Sequence, residues 1–344
     1  MSKATARDVI DWIFDNVPRD REGVKIEFIG GEPLLEFELI KDIFTYTNNK
    51  NIKYPFLFFA TTNGTVLTDE MKAWFLEHKD SFWLGLSLDG TRVTHNYNRS
   101  NSFDNIDVDF FCTTWPEQSV KMTLSEYSLE HLSDDVKFTH SLGFNHIGGC
   151  NLFEGNFNWN NDVYIQKLIM QLKELSVFYI NNETYTNQLF DKTLDICESK
   201  QTQLHKRCGI GTEPFFDFDG KMYPCAFVTP MTFQDKELEL MSKFNFNNDE
   251  NYIDEDCVQN CYIYPICSTC YGANYMINKS FNQRDKSRCR IYKLIILFIA
   301  DMQSKKIINN PELFNDKNVL FYTIEAIKKI KNLYLGEYES FYNF

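Results

Sequence analysis

The sequence predicts a mixed α/β fold with parallel strands, followed by a cysteine-rich segment and a helical tail. Three observations lead there: strand, turn and helix patterns repeat between residues 24 and 147; seven of ten cysteines fall between Cys208 and Cys289; and apolar residues return to helical spacing after residue 289. Strands that alternate with helices pair in parallel through right-handed crossovers.

The elements follow in order. Val9, Ile10, Trp12, Ile13 and Val17 recur at helical spacing, with Ser2 placed to cap the helix and Pro18 to close it. Residues 24–29 read as a buried strand that runs into Gly30-Gly31-Glu32-Pro33, after which Leu34, Leu35, Phe37, Leu39, Ile40, Ile43 and Phe44 line a helix. The unit repeats as strand 56–61 into Asn63-Gly64, helix 68–78, and strand 82–88 into Asp89-Gly90. Residues 120–124 and 144–147 read as further strands with a helical segment over 126–142, whereas 98–118 favours no single pattern. Such a chain closes into a barrel or stays an open sheet, and in both cases function sits at the carboxyl ends of the strands, where the glycine turns fall. After residue 155 the strand pattern stops. Val163, Leu168, Ile169, Leu172, Leu175 and Tyr179 predict a long helix, with another over 189–197. A domain boundary near 200 separates these from the cysteine-rich loops of 200–290, and Leu320, Ile324 and Ile327 share one face of a helical tail.

Composition narrows the function. In 344 residues, 35 Lys and Arg against 48 Asp and Glu leave a net charge of −13, and 43% of residues are hydrophobic, which excludes a disordered chain. The acidic balance argues against nucleic acid as a partner, since phosphate binding needs clustered cations. The one dense basic run, Lys328, Lys329 and Lys331, reads as the wet face of a helix. The longest apolar stretch, 294–300, is far short of the roughly 20 residues that cross a membrane. With no export signal at the N-terminus, the expected setting is cytoplasmic. Cytosolic thiols stay reduced, so ten cysteines point to metal or redox chemistry, not a disulfide framework.

Within Cys208, Cys225, Cys257, Cys261, Cys267, Cys270 and Cys289, the run Cys257-x3-Cys261-x5-Cys267-x2-Cys270 brings four thiolates onto one loop. Thiolates at this spacing are soft ligands for zinc or for iron–sulfur clusters. Seven exceed one zinc site and suit two polynuclear clusters, although two all-cysteine cubane clusters ask for one ligand more. The six histidines, His78, His95, His131, His140, His146 and His205, form no i, i+4 metal pair and read as structural, as do Cys112 and Cys150. Trp12, Trp74, Trp83, Trp115 and Trp159 read as core.

The ordered series resembles the radical S-adenosylmethionine (radical SAM) enzymes with a C-terminal SPASM domain of twin auxiliary clusters, a group that includes peptide maturases and anaerobic sulfatase maturases. Gly30-Gly31-Glu32-Pro33 is similar to that family's GGEP turn, Thr62-Asn63-Gly64 and Ser87-Leu88-Asp89-Gly90 to its next two strand ends, and Cys208, Gly220-x4-Cys225, the four-cysteine loop and Cys289 to the SPASM order. The resemblance implies a partial (β/α)6 TIM-like barrel without its first strand, with bridging helices, over 1–199, a SPASM domain over 200–290, and a helical tail over 291–344. It implies that Gly30, Gly31 and Glu32, followed by Pro33, hold the amino group of S-adenosylmethionine. Ser87 would meet its ribose or carboxylate region and Lys121 would pair with the carboxylate; Asn63 and Asp89 complete that set. It also implies two auxiliary [4Fe–4S] clusters, one on Cys208, Cys225 and Cys270, the other on Cys257, Cys261, Cys267 and Cys289. The first then keeps an open iron unless Cys197 or a substrate thiolate fills it.

Two departures bear on function. The family's Cys-x3-Cys-x2-Cys loop, which carries the third cluster, has no counterpart in residues 1–344, whose first cysteine is Cys112. A truncated start is the expected reason; loss of the radical chemistry is the other. The residue after the position of Cys225 is acidic in sulfatase-maturing relatives and is Ala226 here, which cannot accept a proton. That tilts the expectation toward maturation of a ribosomally made peptide, possessing or lacking a leader, by hydrogen abstraction through a 5′-deoxyadenosyl radical and formation of a thioether or carbon–carbon crosslink. A flavodoxin or ferredoxin would be the electron donor. The alternative from another class is a non-catalytic peptide-binding scaffold with structural zinc or iron–sulfur sites.

Overall fold

The computed structural model describes residues 1–18, 21–152, 158–199, 206 and 208–340. His205 lies outside them. The chain divides into two compact units that interleave along the sequence: Met1–Thr123 with Asp134–Cys150 and Phe215–Tyr223, and Leu124–Ser133 with Asn151–Pro214 and Pro224–Phe344.

The first unit opens with helix α1 (Lys3–Asn16), whose first turn is capped by the Ser2 hydroxyl accepting from Thr5 N. Strand β1 (Val24–Phe28), helix α2 (Phe37–Asn48), strand β2 (Phe56–Thr62), helix α3 (Asp69–Glu77) and strand β3 (Phe82–Leu86) follow. The three strands are parallel in the order β1, β2, β3, with Ile26 opposite Phe58 and Phe58 opposite Phe82. Strand alternation then sorts the two faces. Phe28, Phe58 and Phe82 stack on one face and meet Phe44 of α2 and Trp74 of α3. Burying each such ring contributes about 2 kcal/mol. Lys25, Glu27, Phe59 and Thr61 point to the other face.

Helix α4 (Arg92–Asn98) ends where Ser100 and Asn101 take left-handed backbone angles, and a 3-10 turn at Phe103–Asn105 leads to helix α5 (Val108–Thr114). Those two residues explain why 98–118 shows no single period. Strand β4 (Val120–Leu124) joins β3 through a parallel bridge between Ser87 and Lys121 and the bond from Leu88 N to Lys121 O, 2.9 Å. Helix α6 (Leu132–Ser141) precedes strand β5 (His146–Leu152).

The second unit contains helix α7 (Asp162–Asn181), which matches the sequence expectation. The expected helix over 189–197 does not form. A two-residue strand β6 (Thr186–Asn187) and a 3-10 turn at Leu194–Cys197 stand there instead, because Asn187 Oδ1 accepts from Leu189 N and starts a turn. In the cysteine-rich segment a hairpin of β7 (Phe215–Phe216) and β8 (Met222–Tyr223) belongs to the first unit, where Phe216 packs on Trp12 at 5.2 Å. Its turn needs Gly220, at φ +83°. Helices α8 (Asp235–Met241), α9 (Glu255–Asn260) and α10 (Tyr271–Asn278) are short, and α11 (Cys289–Asn309) and α12 (Lys317–Tyr338) form the tail. Residues 294–300 of α11 are all buried, as their apolar run requires. No helix among the described residues is long and apolar enough to cross a membrane.

Candidate functional site

In the first unit the strand ends build a polar patch. Lys121 Nζ donates to Thr61 Oγ1 at 2.7 Å, lies 3.7 Å from Glu27 Oε1, and sits 5.6 Å from the Phe59 ring centroid. Ser87 is bridged to Lys121. Gly85 lets Phe59 lie close, since a Cβ there would be 2.9 Å from its ring. Thr61 and Glu27 were not singled out by sequence. Their signal was the alternation itself, which sets them opposite Phe28 and the buried Phe58 and Thr62.

The turn after β1 is open on one side and pinned on the other. A Cβ at Gly30 or Gly31 would meet nothing within 4 Å, so this backbone is accessible to a ligand. The Glu32 carboxylate ties the turn to β2: Oε1 accepts from Leu34 N (3.1 Å) and Thr62 Oγ1 (2.7 Å), and Oε2 from Asn63 N (2.8 Å). Pro33 is buried at the first position of the 3-10 turn that follows. Asn63 Oδ1 in turn accepts from Thr65 N and Oγ1. Asp89, only 3% exposed, is consumed by structure. Its Oδ2 accepts from Arg99 Nε at 2.8 Å, and its Oδ1 accepts from Arg99 Nη2 and from Thr123 N, both at 3.1 Å. Next to it, buried His95 accepts from Asp89 N through Nδ1; burial lowers its pKa to about 4, opposed by the Asp89 charge and aided to a lesser degree by the Arg99 charge.

In the second unit Cys257, Cys261, Cys267 and Cys289 line one cavity of about 40 Å³. A single water needs only roughly 10–15 Å³. Tyr264, Ser268, Arg284, Arg288 and Tyr292 complete its wall. Cys257 sits in the first turn of α9, where its N–H donates to the N-cap carboxylate of Asp254, and Cys289 opens α11. Burial pushes the Cys289 thiol up to about 11, and the neighbouring Cys267, Cys257 and Cys261 add to the effect. Burial raises Cys257 and Cys267 as well, opposed by Lys286 at the first and by Arg284 and Arg288 at the second. Four cysteine sulfurs in one cavity, three of them held as thiols by burial, are a donor set that polynuclear iron suits, because bound metal supplies positive charge and displaces the protons. Among the described residues no three His, Cys, Asp or Glu side chains converge on a single-ion point.

The remaining cysteines are arranged differently. Cys225 packs against an apolar cluster that includes Ile210, Val228, Tyr252 and Tyr271. Burial, then Cys208, Tyr271 and Cys225, raise the Tyr252 hydroxyl, which places these groups together. Cys270 caps α10 by accepting from Ala273 N at 3.4 Å, one residue before Tyr271, whose ring lies 4.6 Å from Tyr252. Cys197 bears on Tyr262 and Tyr334, and Tyr334 also bears on Cys261, so Cys197 neighbours the other quartet.

No family model matches the sequence. The cysteine-type anaerobic sulfatase-maturating enzyme of Clostridium perfringens is 27% identical over 221 residues, 58% of each chain. The radical SAM cyclopropyl synthase TigE of Paramaledivibacter caminithermalis is 21% identical over 349 residues, 95% of this chain and 68% of that one. The chain thus spans about three fifths of the first relative's length. Among solved structures, native anSMEcpe with bound AdoMet superposes with a TM-score of 0.67 at 18% identity, over 89% of this chain and 90% of that one. The same protein with AdoMet and a Cp18Cys peptide gives 0.66 at 16% identity, over 89% and 91%. In sequence the chain is thus similar to these sulfatase-maturating and cyclopropyl synthase enzymes, and in fold to anSMEcpe.

Proposed function

We propose that residues 1–344 carry the nucleotide-binding face and the auxiliary-cluster domain of a radical SAM maturase that acts on a ribosomally made peptide. The observation that carries this reading is the convergence of Cys257, Cys261, Cys267 and Cys289, up to 32 residues apart in sequence, on one cavity. When bound, the iron–sulfur clusters supply one-electron chemistry and S-adenosylmethionine supplies the radical source. The chain's own residues bind and orient. The open backbone of Gly30 and Gly31 faces the amino group, Lys121 the carboxylate and Ser87 the ribose region, while Glu32 fixes the turn from behind. Cys208, Cys225 and Cys270 would hold the second cluster in their more apolar surroundings. In this reading 1–199 form the SAM domain, 200–290 the cluster domain and 291–344 the helical tail.

The finer claims belong to the same proposal. Ala226, exposed and without a proton-accepting group, favours thioether or carbon–carbon crosslinking over the sulfatase-type reaction. A cytoplasmic flavodoxin or ferredoxin would deliver electrons. The third cluster, on a Cys-x3-Cys-x2-Cys segment, has no ligands in residues 1–344.

Anaerobic reconstitution tests the core of the proposal. The chain should turn brown and hold about eight iron atoms, and Cys289→Ala should bring this to about four. Colourless, iron-free protein would sink the reading. In equilibrium dialysis with S-adenosylmethionine, Lys121→Ala should weaken binding roughly tenfold, the loss of one charge-assisted contact; undiminished binding would remove Lys121 from the site.

A further inference from the structure

Arg284 lines the cavity of Cys257, Cys261, Cys267 and Cys289 while being only 6% exposed. Most of its polar groups are accounted for. Its backbone N donates to Asp254 Oδ2 at 2.8 Å, Nη1 donates to Cys267 O at 2.8 Å, and the guanidinium stacks on the Tyr264 ring at 4.1 Å. Its Nε, however, is a buried donor with no hydrogen-bond partner among the described residues. Buried donors are rarely left bare, and an orphaned one asks for an acceptor. At one of the lining cysteines, Lys286 Nζ lies 2.7 Å from Cys257 Sγ, held from behind by Asp254 at 3.3 Å and Asp256 at 3.1 Å.

We propose that Arg284 is a positioning residue for an anionic iron–sulfur cluster in this cavity, donating through Nε, and that with Lys286 on the Cys257 sulfur it raises the reduction potential of that cluster. The inference rests on the cluster reading given above. Donors aimed at cluster sulfur favour the more negative, reduced form. The nearby carboxylates limit the net charge, since Asp254 and Asp256 face Lys286 and Asp285 also lines the cavity. The effect therefore comes from where the N–H groups point. The Cys208 and Cys225 site differs: Cys225 packs on apolar side chains, and Lys206 near Cys208 is paired with Asp249 at 3.2 Å.

The test is a potentiometric titration of the reconstituted full chain followed by electron paramagnetic resonance, with iron content measured on every sample. Lys286→Met and Arg284→Met should each move the midpoint of one reducible species to more negative potential and leave the other in place. Arg284→Lys, which keeps the charge, should restore part of the shift. Unchanged midpoints at full iron content would overturn the proposal, and so would an equal shift of both species. If Arg284→Met loses iron, the half-exposed Lys286→Met decides. A wild-type chain that binds no iron gives no signal at all, which overturns the cluster reading itself and is distinct from an unshifted midpoint.

Discussion

Replacing Glu32 by Gln tests whether this side chain is a structural pin. The carboxylate takes three hydrogen bonds, from Leu34 N, Thr62 Oγ1 and Asn63 N, at 3.1, 2.7 and 2.8 Å. A glutamine keeps the shape but must turn an NH2 toward one of two backbone donors. With nitrogen at the Oε2 position it faces Asn63 N–H, and with nitrogen at Oε1 it faces Leu34 N–H. In the second case Thr62 Oγ1, which accepts from Gly64 N at 3.0 Å, keeps a lone pair for the amide, but Leu34 N–H is left without its acceptor. One backbone donor is stranded in either orientation, which costs about 1–3 kcal/mol, and the surviving bonds lose their charge assistance. We therefore expect Glu32→Gln to destabilise the joint between β1 and β2 by about 2 kcal/mol, and Glu32→Ala by more. Hydrogen exchange read by mass spectrometry on peptides covering 28–36 and 58–66 should show faster exchange in both, roughly 30-fold for the glutamine variant. Unchanged exchange would refute the reasoning and return Glu32 to the role of a ligand group alone.

Gly90 sits at φ +92°, and a Cβ there would lie 2.2 Å from Asp135 Cβ, whose carboxylate accepts from Thr91 N and Oγ1. Gly90→Ala should cost about 4 kcal/mol in a thermal melt, from backbone strain and overpacking together, while Gly31→Ala, with open space around it, should cost less than about 1. His95 titrates near 4 in the fold against 6.5 in the unfolded chain. Its neutral form is the folded one, so its contribution is complete above pH 6.5 and is lost as pH falls toward 4. The loss is at most about 3–4 kcal/mol, from 2.5 pH units at roughly 1.4 each; His95→Asn should flatten that limb of the stability–pH curve. Asp89→Asn removes the charge partner of the partly exposed Arg99 guanidinium and should cost about 1–3 kcal/mol by urea unfolding.

The legible parts of the fold are those in which local chemistry and tertiary packing agree. The cap at Ser2 and the strand over 56–61 could be read directly because side chain, backbone and core make the same demand. Residues 189–197 failed because Leu189, Phe190 and Leu194 are buried by distant parts of the chain while Asn187 turns the backbone locally. Apolar spacing alone does not separate those cases. In the candidate site, the cysteine quartet of the cavity was legible from order and spacing, whereas Arg284 and Lys286 carry no spacing signature. Their roles arise only when the chain after α10 folds back over α9, bringing Arg284 N to Asp254. The placement of Cys197 beside Tyr262 and Tyr334 likewise depends on the approach of α12 to the 3-10 turn at Leu194–Cys197.

The β7–β8 hairpin has a practical consequence for anyone recombining this chain with its relatives. It lies between Cys208 and Cys225, yet its Phe216 covers Trp12 of α1 and its Gly220 turn abuts Thr5. A graft cut at residue 200 would import a foreign hairpin and strip α1 of its own cover. Chimeras that leave 215–223 with the N-terminal parent should stay soluble where simple two-piece swaps aggregate.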